Sequence, residues 1–157
     1  MTKLLVFSDS HGVNAPMRAA VERQRPDYIV HLGDCKPDAE WLSALFPETP
    51  LISLPGNCDR PSPQTILTKL LDFEGVKVFM THGHSYDVKR GLLKLELAGR
   101  EAGANVILFG HTHQPLCLEK DGVWLLNPGS CGFWNPSCGL VSIQDGNAAC
   151  SLLDLSN

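Results

Sequence analysis

The stretch Leu4-Leu5-Val6-Phe7-Ser8-Asp9-Ser10-His11 joins a short apolar run, typical of a buried β-strand, to a carboxylate and an imidazole. Two later stretches have the same form: residues 76–80 (VKVFM) precede the His82 and His84 pair, and residues 106–109 (VILF) precede the His111 and His113 pair. Between them, Gly33-Asp34 and Gly56-Asn57-Cys58-Asp59 each close a further apolar run. Because parallel strands end at one edge of a sheet, these polar groups are expected to meet in one crevice.

The order of apolar runs predicts an α/β protein. Strands are expected over residues 3–8, 28–32 and 51–54, with helices over 15–24 and 38–46 between them. This order favours a parallel sheet with right-handed crossovers.

The second half predicts hairpins, with turns at Glu74-Gly75, Asp121-Gly122 and Asp145-Gly146. A strand is expected over 105–109 and the longest helix over 88–102. Its apolar face would consist of Leu92, Leu93, Leu95, Leu97 and Ala98. Together these elements predict two sheets packed face to face, with helices outside.

Size and composition bound the class of protein. The chain has 157 residues, of which 43% are hydrophobic, so one domain over residues 1–157 with a sizeable core is expected. The net charge is −4 and there is no run of Lys and Arg, which argues against strong binding of nucleic acid. No signal peptide follows Met1 and no apolar stretch approaches bilayer length, so we expect a cytoplasmic protein without a membrane partner.

The six cysteines form no Cys-x-x-Cys pair, so neither a disulfide framework nor a structural zinc site is expected. Most should be small buried apolar residues. Cys35 and Cys58 are exceptions, because each adjoins a candidate ligand motif.

The polar groups at the strand ends form a donor set for divalent metals. Asp34 has two carboxylate oxygens and can bridge two ions, and Asn57 offers a neutral oxygen. His31 differs from the other histidines because it lies inside its apolar run, and it is expected to be a hydrogen-bonded core residue. Mixed nitrogen and oxygen ligation suits Mn, Fe, Co, Ni or Zn better than Ca or Mg. The candidate ligands are Asp9, His11, Asp34, Asn57, His82, His111 and His113.

These five motifs, in this order, resemble those of the calcineurin-like metallophosphoesterases, and most closely the small bacterial and archaeal phosphodiesterases of the YfcE/MJ type. The later Asn127-Pro128-Gly129-Ser130 segment also looks like that subfamily. The resemblance covers nearly the whole chain. It implies a four-layer α/β/β/α sandwich of two mixed β-sheets flanked by helices.

The resemblance also implies the chemistry. One metal ion would bind Asp9, His11, Asp34 and His113, and the other would bind Asp34, Asn57, His82 and His111. Two ions, with manganese as the expected metal and Ni, Fe, Co or Zn as alternatives, would hold a bridging hydroxide that attacks a small phosphate ester, most naturally a diester. Asn57 and His84 would hydrogen-bond the phosphate. Cys58 occupies the position where many relatives carry a histidine as the leaving-group acid.

A different class of function stays open, because the same fold also serves as a non-catalytic protein-binding scaffold in the retromer coat. The complete ligand set favours the enzyme. Related sequences often carry an arginine after the Asn127 segment, whereas residues 131–136 here read CGFWNP. Phe133 and Trp134 are expected either to pack in the core or to contact substrate. The substrate, the native metal and a homo-oligomeric state are left open by the sequence.

Overall fold

The computed structural model describes residues 1–61, 65–132 and 134–156. These residues form ten β-strands, three α-helices and one short 3₁₀-helix at His84–Tyr86. The strands are β1 (Thr2–Phe7), β2 (Tyr28–His31), β3 (Leu51–Ser53), β4 (Thr68–Phe73), β5 (Val76–Thr81), β6 (Val106–Leu108), β7 (Leu116–Lys120), β8 (Val123–Asn127), β9 (Ser137–Gln144) and β10 (Asn147–Asp154). The helices are α1 (Ala15–Gln24), α2 (Lys36–Leu45) and α3 (Leu93–Glu101).

Each of the two sheets has five strands and is mixed. The first has the order β10-β9-β1-β2-β3, with β1, β2 and β3 parallel, as the alternation of strands and helices predicts. The second has the order β4-β5-β6-β8-β7, with β5, β6 and β8 parallel. The parallel strands at the centre of both sheets therefore end in the loops that carry the candidate ligands.

The layers follow from the two-residue period of the strands. In β1, Leu4 and Val6 face the core between the sheets, where they join Met80 and Leu108 of the second sheet. The alternate residues Leu5 and Phe7 face outward and pack with residues of α1 and α2. On the far side, α3 packs on the outer face of the second sheet through Leu95. The predicted four-layer α/β/β/α sandwich is confirmed.

The three predicted hairpin turns are also confirmed. Glu74-Gly75 joins β4 to β5, Asp121-Gly122 joins β7 to β8, and Asp145-Gly146 joins β9 to β10. In each turn both residues have positive φ, the conformation that suits a two-residue hairpin.

The prediction for the longest helix is wrong. Helix α3 covers nine residues, whereas α1 and α2 cover ten each. Asp87 and Gly91 adopt φ values of 55° and 153°, which interrupt a helix, so α3 begins only after them. The predicted apolar face is also wrong in part, because Leu93 and Leu97 are 69% and 57% exposed.

Smaller differences affect other elements. Helix α2 begins at Lys36, two residues before the predicted start, and it ends at Leu45, shortly before Pro47.

In the described part of the chain, no helix combines the length and the hydropathy that crossing a bilayer requires.

Candidate metal centre

The candidate ligands lie in loops that leave both sheets at the same edge. Asp9 follows β1 and Asp34 follows β2 of the first sheet, while His82 follows β5 and His111 follows β6 of the second. Within each sheet the loops contact one another: the backbone N–H of Asp9 donates to the carbonyl of Gly33 at 2.9 Å, and that of Gly110 donates to the carbonyl of His82 at 2.9 Å. Between the sheets, the backbone N–H of His111 donates to Oδ2 of Asp9 at 3.0 Å. The site therefore spans the junction between the sheets.

The loops hold their ligands in an uncommon backbone conformation. Asp9, His11, Asp34, His111 and His113 have φ values of 55°, 46°, 58°, 71° and 62°, in the left-handed region. Non-glycine residues adopt this region rarely and at some energetic cost, and such residues cluster at functional sites. Five of the seven predicted metal ligands share this conformation, so the surrounding structure must stabilise it.

Two glycines allow the loops to approach closely. A Cβ atom on Gly56 would overlap the carboxylate of Asp34, and a Cβ atom on Gly110 would overlap the hydroxyl of Ser8 and approach the carboxylate of Asp9. Any larger residue at either position would displace a candidate ligand. The sequence does not reveal that these two glycines make room for the carboxylates of Asp34 and Asp9.

Asp9 is the most enclosed acidic group of the site, with no exposed surface. Its Oδ1 lies 3.0 Å from Nε2 of His82 and 3.3 Å from Nε2 of His113. Its Oδ2 accepts hydrogen bonds from the Ser8 hydroxyl at 2.6 Å and the His111 backbone N–H at 3.0 Å. Burial alone would raise the pKa of the Asp9 carboxyl, but the hydrogen bonds from His82 and Ser8 and the charges of His82 and His113 outweigh it and lower the pKa. Asp9 is therefore a carboxylate, the form that ligates metal.

Asp34 lies between the two sets of histidines. Its Oδ2 is 3.7 Å from Nε2 of His11 on one side and 3.5 Å from Nε2 of His82 on the other. Its Oδ1 accepts the backbone N–H of Cys58 at 2.8 Å. This position, between histidines of both groups, is the one that a bridging ligand requires.

His82 and His84 form a hydrogen-bonded pair, with their Nδ1 atoms 3.1 Å apart. In this contact one Nδ1 donates and the other accepts, while Nε2 of His82 lies 3.0 Å from Oδ1 of Asp9. Burial, together with the neighbouring His82, lowers the pKa of His84, and burial also lowers the pKa of His111. Both imidazoles are thus biased toward the neutral form, which is the metal-binding form of histidine.

Three groups of side chains bring their ligand atoms within 4.8 Å of one another: Asp9–His11–His113, Asp34–His82–His111 and His11–Asp34–Cys58. The first two groups follow the division into two metal sites that the resemblance implies, except that Asp34 is absent from the first group. Asn57 is exposed, and no hydrogen bond of its side chain is found among the described residues. The placement of Asn57 on a metal stays a prediction.

The third group was not anticipated by the sequence. Cys58 is exposed, and its thiol lies close to candidate ligand atoms of Asp34 and His11. Partial loss of solvent around the sulfur and the charge of Asp34 raise the pKa of the Cys58 thiol, so the thiol keeps its proton at neutral pH. Cys35, the other cysteine next to a ligand motif, is half-buried, and its pKa is also raised by burial.

Several residues outside the predicted ligand set brace the loops. The Ser130 hydroxyl donates to the backbone carbonyl of Asp9 at 2.8 Å. The Asn127 amide donates to the carbonyl of Gly110 at 3.2 Å and to the Thr112 hydroxyl at 3.0 Å. The Asn127–Ser130 segment therefore supports the loops after β1 and β6, and its resemblance to the phosphodiesterases was the available signal for this role.

A half-buried carboxylate, that of Asp59, also ties the loops of the first sheet together. Asp59 accepts three backbone N–H groups: those of Asp34 at 3.1 Å, Lys36 at 2.9 Å and Gly56 at 2.8 Å. The residues around Asp59 do not predict that it accepts these hydrogen bonds, because the donors lie up to 25 positions away. Asp59 holds the Asp34 loop against the loop after β3.

His31 is a hydrogen-bonded core residue, as predicted. Its Nδ1 accepts the backbone N–H of Gly33 at 3.2 Å, which leaves Nε2–H to donate to the Ser10 hydroxyl at 3.0 Å. Burial lowers the pKa of His31 to about 4. The residue thus lies beneath the candidate site as a neutral link between two of its loops.

The predictions for the two aromatic residues after the Asn127–Ser130 segment differ in their result. Phe133 lies outside the described residues. Trp134 is 95% exposed, so the prediction that it packs in the core is wrong. Contact of Trp134 with substrate stays a prediction.

The fold and the site define a class of protein: an α/β/β/α sandwich with carboxylates and imidazoles gathered at the strand ends, the donor chemistry of divalent transition-metal centres. Residues 2–146 match the family described as the calcineurin-like phosphoesterase superfamily domain. The chain belongs to this family.

Individual relatives agree with this assignment. The chain is 36% identical over 150 residues to phosphodiesterase MJ0936 of Methanocaldococcus jannaschii, covering 82% of this chain and 84% of that protein. A solved structure from Streptococcus pneumoniae, described as a conserved protein and predicted phosphoesterase, has a TM-score of 0.79 at 26% identity, covering 98% and 90% of the two chains. The zinc complex of Vps29 from Entamoeba histolytica shares the fold, with a TM-score of 0.74 at 19% identity and coverage of 99% and 100%.

Proposed function

We propose that the chain is a dinuclear metal-dependent phosphoesterase that acts on phosphodiesters. The observation that carries this proposal is the convergence of two carboxylates and four imidazoles from both sheets, in groups whose ligand atoms lie within 4.8 Å. The group Asp9–His11–His113 would hold one ion and the group Asp34–His82–His111 the other. Asp34 would also reach the first ion and Asn57 would complete the second.

The donor set fits a pair of transition metals. Asp9 is a buried carboxylate with three imidazole nitrogens within 3.8 Å of one oxygen, and such mixed ligation suits Mn, Fe, Co, Ni and Zn. Manganese is the metal we propose. Bound at such a site, a metal pair lowers the pKa of water and neutralises phosphate oxygens.

The chain's own residues would orient the ester. Asn57 and His84 lie beside the ligand residues, on the loops after β3 and β5, and would donate hydrogen bonds to phosphate oxygens. Cys58 would face the leaving group. Because its thiol has a raised pKa, it is a reluctant proton donor, so esters whose leaving groups depart as anions should be preferred. The phosphodiesterase name of the 36%-identical relative supports diesters over monoesters.

A metal screen against phosphomonoesters and phosphodiesters tests the proposal. We expect turnover of bis(p-nitrophenyl) phosphate with added manganese and little in the presence of a chelator. Asp34→Asn should lower kcat/KM by about two orders of magnitude or more, because the bridging charge is lost from both sites. Asp72→Asn is the control, since Asp72 is exposed in the β4–β5 hairpin.

Near wild-type turnover of Asp34→Asn at saturating manganese would show that the bridge is assigned wrongly. Absence of turnover with every metal, together with absence of metal binding, would favour the alternative of a non-catalytic scaffold. The similarity to Vps29 shows the fold alone and does not decide between the two.

A further inference from the structure

A second concave feature lies beside the candidate metal centre. It is a cleft of about 380 Å³ where the loops after β2 and β3 meet the chain leading into β4. Lys36, Arg60 and Lys69 line it, and Leu54 and Ile66 supply an apolar wall. In a chain with a net charge of −4, three cations around one cleft reverse the overall charge locally. We call this feature the cationic cleft.

Asp59, the acidic residue that lines the cationic cleft, offsets only one of its three positive charges and forms no ion pair with them. Asp59 directs both carboxylate oxygens to backbone N–H groups, those of Asp34, Lys36 and Gly56. In the described parts of the chain, no ion pair within 4.0 Å involves the side chains of Lys36, Arg60 or Lys69. Their charges are therefore available to an external anion.

The cationic cleft and the candidate metal centre share their loops. Arg60 is two residues from Cys58, and Lys36 is two residues from Asp34, so in each pair the Cα atoms are at most about 7 Å apart. Asp59 reinforces the connection, because its carboxylate hydrogen-bonds the backbone of Asp34 while its side chain lines the cleft. The cationic cleft and the candidate metal centre therefore adjoin, as a substrate that reaches from one to the other requires.

We propose that the cationic cleft binds a second phosphate group of the substrate, carried by the part that leaves when the ester bond breaks. This inference rests on the proposed phosphoesterase function and names the substrate class: esters that carry two phosphate groups. Arg60 offers a planar fork of donors that matches phosphate oxygens, and Lys36 adds a second charge. Leu54 and Ile66 would contact the carbon skeleton between the phosphates.

The test compares two dinucleotides that differ only in a terminal phosphate, pdTpdT and dTpdT. Binding is measured by calorimetry on the metal-free protein, so that no turnover interferes, and kcat/KM is measured on the manganese-loaded protein. The variant is Lys36→Gln/Arg60→Gln. Lys69 is left unchanged because its Nζ contacts the carbonyl of Ser53 at 3.5 Å.

The control is Arg23→Gln/Lys94→Gln, which removes two positive charges from exposed helix positions outside the cationic cleft. In the wild type and the control, the terminal phosphate should improve binding and kcat/KM by about 5- to 30-fold, as expected for two partly screened ion pairs. In the Lys36→Gln/Arg60→Gln variant this ratio should fall close to one. Equal thermal unfolding midpoints of the two double variants would show that the fold is intact.

An unchanged ratio in the Lys36→Gln/Arg60→Gln variant would overturn the proposal. Binding of inorganic phosphate is measured as well. If phosphate binding depends on Lys36 and Arg60 while the terminal phosphate of pdTpdT adds nothing, the cleft binds a free anion. That result would also overturn the proposal. Calorimetry on the metal-free protein measures binding to the cleft in the absence of turnover. A lack of turnover of every ester would therefore count against the proposed function, separately from the result on the cleft.

Discussion

Replacing Asp59 by alanine removes the acceptor for three backbone N–H groups, at distances of 2.8–3.1 Å. A hydrogen bond to a charged group contributes about 1.5–3 kcal/mol, which gives an upper range of about 4.5–9 kcal/mol for three. Asp59 is only half-buried, so water can replace part of this. We therefore expect a loss of about 3 kcal/mol, which would lower Tm by about 6–12 °C for a chain of this size.

Urea unfolding and thermal scans of the metal-free protein measure this loss. Asp59→Asn should cost less, about 1–2 kcal/mol, because its amide oxygen can keep the two bonds from Asp34 and Gly56 and only the one from Lys36 is lost. Asp72→Ala is the matched control, since Asp72 accepts a single backbone N–H in an exposed turn. Equal losses for Asp59→Ala and Asp72→Ala would refute the reasoning that Asp59 holds the Asp34 loop.

Elemental analysis after loading should find two manganese ions per chain, and a stoichiometry near zero would exclude the dinuclear site. Cys58→His should raise kcat/KM for an alkyl diester more than for an aryl diester, because imidazole titrates near neutral pH; equal changes would remove position 58 from leaving-group chemistry. His31 has a folded pKa of about 4, below its unfolded value, so the unfolded state binds the proton first as pH falls. Stability should therefore drop by about 2 kcal/mol more between pH 7 and 5 in the wild type than in His31→Gln, as measured by urea unfolding; parallel pH profiles would contradict this.

Much of the fold could be predicted because the spacing of apolar residues and the residue types at the turns indicate the same strands and hairpins. Alternation in β1 places Leu4 and Val6 in one core and Leu5 and Phe7 in another. Asx-Gly turns and Glu74-Gly75 mark the hairpins. The start of α3 could not be predicted, because a leucine-rich pattern does not reveal that Asp87 and Gly91 leave the helical region.

The convergence of the candidate ligands could be predicted, but most of the contacts that hold their loops could not. Candidate ligands such as Asp9 and His82 converge because they follow strands whose carboxyl ends share an edge. Their left-handed backbone is set by contacts over long sequence distances, such as the hydrogen bond from Ser130 to Asp9, 121 positions apart. The residues next to Asp9 in the sequence do not identify such distant partners. The place of Cys58 beside Asp34 and His11 likewise depends on how two loops meet.

The pairing of β1 with β9 has a consequence for how the protein is made. β1 is synthesised first among the ten strands, yet its antiparallel partner is ninth, and Ser130, which fixes the Asp9 loop, lies just before that partner. β1 can pair with β2 early, but its other edge stays unpaired until residues 137–144 of β9 have been synthesised. Metal binding with the full set of loop contacts would therefore require that Ser130, 121 positions after Asp9, has already been synthesised.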